Sequence, residues 1–342
     1  MKRIGLFGGS FDPIHFGHLR IALDAKRSLS LAEVWFLPTV LTPLKSGQAA
    51  SFDHRCKMIE RMIKPYRKLK LCTLEASLPQ PNYTITTVRE LKSFDPTVEF
   101  VWIMGSDQAD QFSLWKEPEE LLRLIRFAVY PRNPEDSIPN GMIRLPYRDY
   151  LAYSSTEIRQ GKAELTKPSI VAYMMENGLY LEEIAKSMVS PKRWIHVASM
   201  CDLALRIAKA HQIDENKVRT AALLHDCMKN QPRQRLATIL TIHEPNYLSQ
   251  PQALWHQRAG MYFARQTLKI RDRSILAAIG HHVEGDHHDP IVRVIYLADK
   301  LDESRGYDGK DTIDLALRDL DAAYKIVRNQ QAEYLLKEGI DV

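Results

Sequence analysis

The chain has 342 residues, 45% of them hydrophobic and 26% charged, which is long enough for two domains with real cores. A net charge of +5 with no dense basic stripe favours small anionic substrates over nucleic acid. Cys56, Cys72, Cys201 and Cys227 lack CxxC spacing, and no uncharged apolar run approaches the length of a membrane span. Disulfide scaffolds, zinc ribbons and membrane proteins are thereby excluded, and a reducing, cytoplasmic setting is expected.

Short apolar strands are predicted at 3–7, 33–37, 70–74, 98–104 and 125–130, with helical patterns between them. This alternation is the signature of an α/β doubly wound parallel sheet. After Ser190 no such strands recur. Helical patterns follow at 192–211, 215–228, 252–268, 272–283 and 290–304, so the second half is expected to be all-α. The join is placed near 182–191, after a helix that Gly178 terminates, giving domains of 1–186 and 187–342.

The run GGSFDPIHFGH at 8–18 is the densest signal in the first half. Gly8 and Gly9 permit a tight turn after the first strand, and Ser10 and Phe11 continue it toward a helix opening near Phe16. His15 and His18 stand three apart, so both imidazoles can address one phosphate group. That geometry points to nucleotidyl transfer.

Four further segments can close around this turn. LPTVLTPLK (37–45) carries Lys45, and PNYTITT (81–87) offers Tyr83 and Thr84. GSD (105–107) places Gly105 and Asp107 at the carboxyl edge of the apolar strand, where a ribose can be hydrogen-bonded, and Trp115 follows. SSTEIR (154–159) reads as a capping box from Ser154 to Glu157, presenting a helix N-terminus with Ser155 and Arg159.

With these motifs in this order, residues 1 to about 181, including the tail VAYMMENGLY, resemble the bacterial nicotinate-mononucleotide adenylyltransferases. The resemblance implies attack by the mononucleotide phosphate on the α-phosphate of Mg²⁺-ATP, giving nicotinate adenine dinucleotide and pyrophosphate. It implies His15, His18, Lys45 and Arg159 as the groups neutralising phosphate oxygens. Asp107 and Ser155 would hold ATP, and Tyr83, Thr84 and Trp115 would define the pyridine pocket. Two positions depart from the family pattern: Leu44 stands where PHK or PHR is usual, and Thr86 where Asp is common. Pantetheine-phosphate adenylyltransferase is the related alternative, disfavoured because that family typically has threonine at the position of His15.

Nine of the twelve histidines fall after residue 190, and a subset has the order of a metal cage. His196, His225-Asp226, His256, His282 and Asp299 lie on successive predicted helices that a bundle can turn inward. The HD pair and Asp299 each interrupt an apolar run, where a buried carboxylate requires a cationic partner. His54, His211, His243, His281, His287 and His288 are read as ordinary core or surface histidines.

HDCMK (225–229), LWHQRAG (254–260), GHHVEG (280–285) and LADKLDESR (297–305) resemble the His-Asp superfamily, and within it the bacterial symmetrical diadenosine tetraphosphate hydrolases. The resemblance implies two metals, iron with manganese as the alternative. His196, His225, Asp226 and Asp299 would hold one, with Asp226 bridging to a second held by His256 and His282. Asp226 thus enters the catalytic set. The resemblance further implies hydrolysis of the tetraphosphate to two ADP, with Lys229 and Arg305 neutralising outer phosphates. The expected partners are small nucleotides alone, with homo-oligomerisation left open. Two other readings stand beside this one: a metal-binding nucleotide sensor, and a hydrolase of a different nucleotide.

Overall fold

The computed structural model describes residues 2–40, 50–148, 153–302, 304 and 309–337. The chain folds as two compact units, Met1–Tyr173 and Met174–Val342. The division falls inside a helix, ahead of the 182–191 segment where the join was expected.

The first unit is built on strands β1 (Arg3–Gly9), β2 (Glu33–Pro38), β3 (Leu69–Leu71), β4 (Glu99–Gly105), β5 (Arg126–Tyr130) and β6 (Ile143–Arg144). They form a six-stranded sheet in the order β3-β2-β1-β4-β5-β6, and every adjacent pair is parallel. Helices α1 (Phe16–Ser28), α2 (Phe52–Ile63), α3 (Thr84–Phe94), α4 (Ser106–Ala109), α5 (Pro118–Leu124), α6 (Ser155–Arg159) and α7 (Pro168–Glu176) accompany the strands. β1 and β4 are central and nearly continuous in apolar residues, because both faces of a parallel sheet are covered. Leu6, Phe36, Ile103, Met104, Phe127 and Val129 are fully buried.

β1 pairs with β2 on one side and β4 on the other, so the strand order reverses between β1 and β4. Ligands of open α/β sheets bind outside the carboxyl ends at such a switch point. Gly8-Gly9 ends β1 and Gly105 ends β4, which brings two of the predicted motifs to this edge. A Cβ on Gly8 would lie 2.5 Å from the Trp102 ring on the neighbouring strand, so glycine there is a packing requirement. Two differences from the sequence reading are local. β3 is shorter than 70–74, because the chain turns into a short 3-10 helix at Leu74–Ser77, and the two-residue β6 lacks an apolar run to announce it.

The second unit is helical: α8 (Leu181–Met188), α9 (Pro191–Ala210), α10 (Glu215–Leu224), α11 (Arg233–His243), α12 (Trp255–Gln266), α13 (Arg273–His281), α14 (Pro290–Leu301), α15 (Lys310–Arg318) and α16 (Leu320–Lys337). Ser190, Asp214, Asp272 and Asp289 cap the N-termini of α9, α10, α13 and α14 by accepting backbone N–H bonds, and Pro191 and Pro290 open two of these helices. These four helices pack on one another around Met200, Ala204, Leu224, Ala278, Ile279 and Leu297. Among the described residues no helix is long and apolar enough to cross a membrane.

Candidate active sites

In the first unit, the helix that follows the Gly-Gly turn begins with a capping box made of two histidines. The His18 backbone N–H donates to His15 Nδ1, and the His15 backbone N–H donates to His18 Nδ1, both at 3.3 Å. Backbone nitrogens are donors only, so each ring must accept on Nδ1 and, when neutral, carries its proton on Nε2. The rings stack with centroids 3.7 Å apart and 24° between planes. Burial first, and the Arg132 charge second, push His15 down to about 3. His18 is held well below its usual value by burial, then by His15 and Arg132. The pair is therefore neutral at physiological pH and presents N–H donors.

Gly17, the glycine of HFGH, has a reason that spacing alone did not reveal. A Cβ there would meet Tyr153 Cβ at 2.8 Å and His15 Nδ1 at 2.9 Å. The preceding turn is held from outside by side chains that donate to its carbonyls. Arg55 Nη1 donates to Ser10 O (2.8 Å) and Arg159 Nη1 to Asp12 O (2.6 Å). Ser155 Oγ donates to Pro13 O (2.9 Å) and Thr166 Oγ1 to Ile14 O (2.8 Å). Because a peptide is planar, each such bond fixes the direction of the whole unit. Phe11 sits within this turn at φ +50, its buried ring edge-on to His18 at 5.0 Å. Arg55, completely buried on α2, also donates to Ala50 O, and Asp12 Oδ1 accepts from the Ala50 N–H.

Several sequence expectations change in detail. Ser154 makes no side-chain cap bond, so the capping box is not formed; Glu157 is drawn to Lys162 instead. Ser155 and Arg159 both bond carbonyls of the turn that leads from Gly9 into α1. Asp107 stands at the end of β4 and forms a two-pronged ion pair with Arg132, at 2.9 and 3.0 Å. A Cβ at Gly105 would collide with that carboxylate, at 2.4 Å from Oδ1. Arg132, which sequence reading missed, is fixed further through its own N–H to Asp136 (2.8 Å), itself bonded to Ser106 Oγ. Tyr83 precedes Thr84 at the start of α3 and lies under the Lys116 ammonium at 4.8 Å, while Trp115 packs on Trp102, Phe112 and Phe127. Lys45, the adjacent Leu44, and Arg305 lie outside the described residues.

In the second unit all six predicted metal ligands are buried and converge. The ligand atoms of His196, His225 and Asp226 lie within 4.8 Å of one another, and so do those of Asp226, His256 and His282, so Asp226 is common to both groups. His256 Nε2 and His282 Nε2 approach Asp226 Oδ1 at 3.3 and 3.5 Å, and His225 Nε2 approaches Oδ2 at 3.3 Å. Asp299 Oδ1 lies 3.1 Å from His196 Nε2 and 4.0 Å from His225 Nε2.

The HD pair lies just past the end of α10, at Leu224, and not within a helix reaching 228. His225 and His282 both follow a helix terminus and use Nδ1 to bond a carbonyl three residues back, Ala222 O (2.7 Å) and Ile279 O (2.9 Å). They thus satisfy carbonyls that the ending helix leaves without a partner. His256 does the same with Ala253 O (2.8 Å), and His196 Nδ1 bonds Asp302 Oδ2 (2.6 Å). All four rings therefore turn Nε2 inward with its lone pair available, the orientation that outer-shell bonds impose on metal-bound histidine.

The donor set fits a divalent metal pair on further grounds. His225 Nε2 and Asp226 Oδ1 are buried without a hydrogen-bond partner, an arrangement costly unless a cation meets them. Burial alone would raise the Asp226 carboxyl, but His225, His256 and His282 hold it well below the usual range, and burial pushes His282 down to about 4. A metal requires a deprotonated carboxylate and neutral imidazoles; burial lowers His256 as well as His282 toward that form, while, against burial, Asp226 raises His225. Sequence reading missed three neighbours. Arg193 bonds Asp226 Oδ2 through Nε (2.5 Å), Lys300 lies 3.3 Å from Asp299 Oδ2, and Asp302 supports His196. Lys229 stands exposed beyond the HD pair, and its N–H bonds Asp226 O.

Residues 6–161 match the cytidylyltransferase-like family and residues 193–304 the HD domain family. A probable nicotinate-nucleotide adenylyltransferase/Ap4A hydrolase of Mycoplasma genitalium is 30% identical, over 95% of this chain and 96% of the relative. Its counterpart from Mycoplasma pneumoniae is 27% identical over 94% and 96%. A probable nicotinate-nucleotide adenylyltransferase of Methylacidiphilum infernorum is 35% identical and covers 57% of this chain and 95% of its own length. The Mycoplasma genitalium relative is matched along nearly the whole of both chains, so the chain belongs to the nicotinate-nucleotide adenylyltransferase/Ap4A hydrolase family.

Proposed function

We propose that the first unit joins the AMP moiety of ATP to nicotinate mononucleotide, releasing pyrophosphate and forming nicotinate adenine dinucleotide. The observation that carries this reading is the neutral, Nε2-protonated histidine pair at the switch point of the sheet. Attack by one phosphate on another develops charge on oxygens and needs donors in place before it develops. His15 and His18 supply those donors to the transferring phosphate. Arg132 adds charge beside them, and Asp107, at the strand edge, meets the ribose. Gly8 to Phe11 form the turn against which the ATP phosphates lie, with Mg²⁺ entering as part of the ATP complex. Tyr83, Thr84 and Trp115 form the pyridine pocket.

The second unit, in this reading, hydrolyses diadenosine tetraphosphate to two ADP. His196, His225, Asp226 and Asp299 hold one metal, and Asp226, His256 and His282 a second, with iron preferred and manganese the alternative. Bound there, the metals supply Lewis-acid charge and lower the pKa of water. The chain's own part is to keep Asp226 ionised and to turn the imidazole Nε2 atoms toward it, and to line the approach with Arg193, Lys229 and Lys300 for phosphate oxygens. Support comes from the completeness of the cage and from the names of the mycoplasmal relatives.

The test is to incubate the iron-loaded chain, under anaerobic conditions, with diadenosine tetraphosphate and separately with ATP and nicotinate mononucleotide, resolving products by chromatography. Two ADP in the first reaction and the dinucleotide in the second are expected. ATP plus AMP in the first would overturn the symmetrical assignment, and metal-bound protein without turnover would replace hydrolysis by nucleotide sensing.

A further inference from the structure

We propose that Thr166, which belongs to neither motif, is a positioning residue for the His15–His18 pair; the proposal rests on the adenylyl-transfer reading for its catalytic consequence only. Thr166 lies just past the 3-10 turn Ala163–Leu165 and is 2% exposed. Its hydroxyl donates to Ile14 O at 2.8 Å. That carbonyl shares a rigid peptide plane with the His15 N–H, which in turn donates to His18 Nδ1. One hydroxyl therefore sets the plane whose opposite edge orients the His18 ring and decides which nitrogen carries its proton.

The other three holders of the turn act differently. Arg55 and Ser155 fix the planes that end in the N–H groups of Phe11 and Ile14, and Arg159 holds the Asp12–Pro13 peptide, which has no N–H. Thr166 is the one of the four whose peptide leads directly to an imidazole. Ile14 is fully buried, so without the hydroxyl its carbonyl loses a partner in a dry setting. The plane is then free to rotate toward another donor, and the His15 N–H leaves His18 Nδ1.

The experiment compares Thr166→Val, which keeps shape and removes the donor, with Thr166→Ser, which keeps the donor, in the full chain. Side-chain ¹⁵N resonances of His18 report the tautomer, and steady-state adenylyl transfer reports kcat and KM. In Thr166→Val the Nε2-protonated pattern is expected to give way to a mixture. There kcat should fall about tenfold while the KM for ATP stays within about twofold, since one buried hydrogen bond is lost and no ligand contact. Thr166→Ser should restore both readouts. A folded valine variant with wild-type His18 resonances overturns the proposal, as does a serine variant that fails to restore them. If the resonances shift as expected but the wild-type chain makes no dinucleotide, the positioning role stands and the adenylyl-transfer reading falls.

Discussion

Replacing Gly17 by alanine tests whether the histidine pair or the helix dictates the glycine of HFGH. Alanine is the better helix former, by about 1 kcal/mol. Against this, the new methyl carbon lies 2.8 Å from Tyr153 Cβ and 2.9 Å from His15 Nδ1, where crowding of this kind costs about 1–3 kcal/mol. The net destabilisation therefore runs from near zero to about 2 kcal/mol, a shift of no more than about 8 °C in Tm for a unit of this size. Function is more exposed than stability. To reach ordinary contact at 3.4 Å, the His15 ring must retreat by about 0.5 Å from the added carbon. Its hydrogen bond from the His18 N–H is already 3.3 Å long and does not survive such a move. A misplacement of that order lowers kcat by about ten- to a hundredfold. Thermal unfolding alongside adenylyl-transfer kinetics separates the two effects. An alanine variant with wild-type kcat refutes the reasoning, and so does one that unfolds outright, since the glycine would then serve the fold.

The depressed histidines predict acid sensitivity of the first unit. With His15 folded at about 3 and its unfolded value near 6.5, the unfolded chain takes up a proton below pH 6.5 that the folded chain refuses. Stability from this group is complete above about pH 6.5 and is lost as pH falls toward 3, at about 1.4 kcal/mol per pH unit. Urea unfolding across that range should show the slope reduced in His15→Asn; an unchanged slope counts against the neutral pair. In the second unit, Asp302→Ala should lower metal affinity about 10- to 100-fold by releasing His196 Nδ1, measured by competition with a chelating dye. Wild-type affinity would show that the bond is incidental. Asp226→Asn should abolish metal retention while sparing dinucleotide synthesis, and His18→Ala should do the reverse. Retained synthesis in the histidine variant removes His18 from the phosphate site.

What the sequence disclosed follows from how each residue acts. Motifs that lie close together along the chain, such as GGSFDPIHFGH and the HD pair, could be read because their geometry is set by helix and turn periodicity. The six cage ligands could be ordered because they fall on successive helical patterns and because the HD pair and Asp299 each interrupt an apolar stretch. Arg55, Arg132, Thr166, Asp302 and Arg193 were invisible, since each acts on a segment far away in sequence: Thr166 bonds a carbonyl 152 positions earlier, and Asp302 an imidazole 106 earlier. Nothing local distinguishes such a threonine from a surface one. The Ser154–Glu157 capping box failed for the opposite reason. Its local pattern was adequate, but Lys162 competed for Glu157 and the turn at Pro13 claimed the neighbouring serine.

The reciprocal bonding of His15 and His18 also limits the chemistry they can perform. On each neutral imidazole one nitrogen holds the proton and the other holds the lone pair, and here both lone pairs are already engaged by the backbone. Neither ring can act as a general base without undoing the first turn of its own helix. Such a pair suits a reaction whose nucleophile arrives already ionised, as a phosphate does, and it would be useless for activating an alcohol or a water.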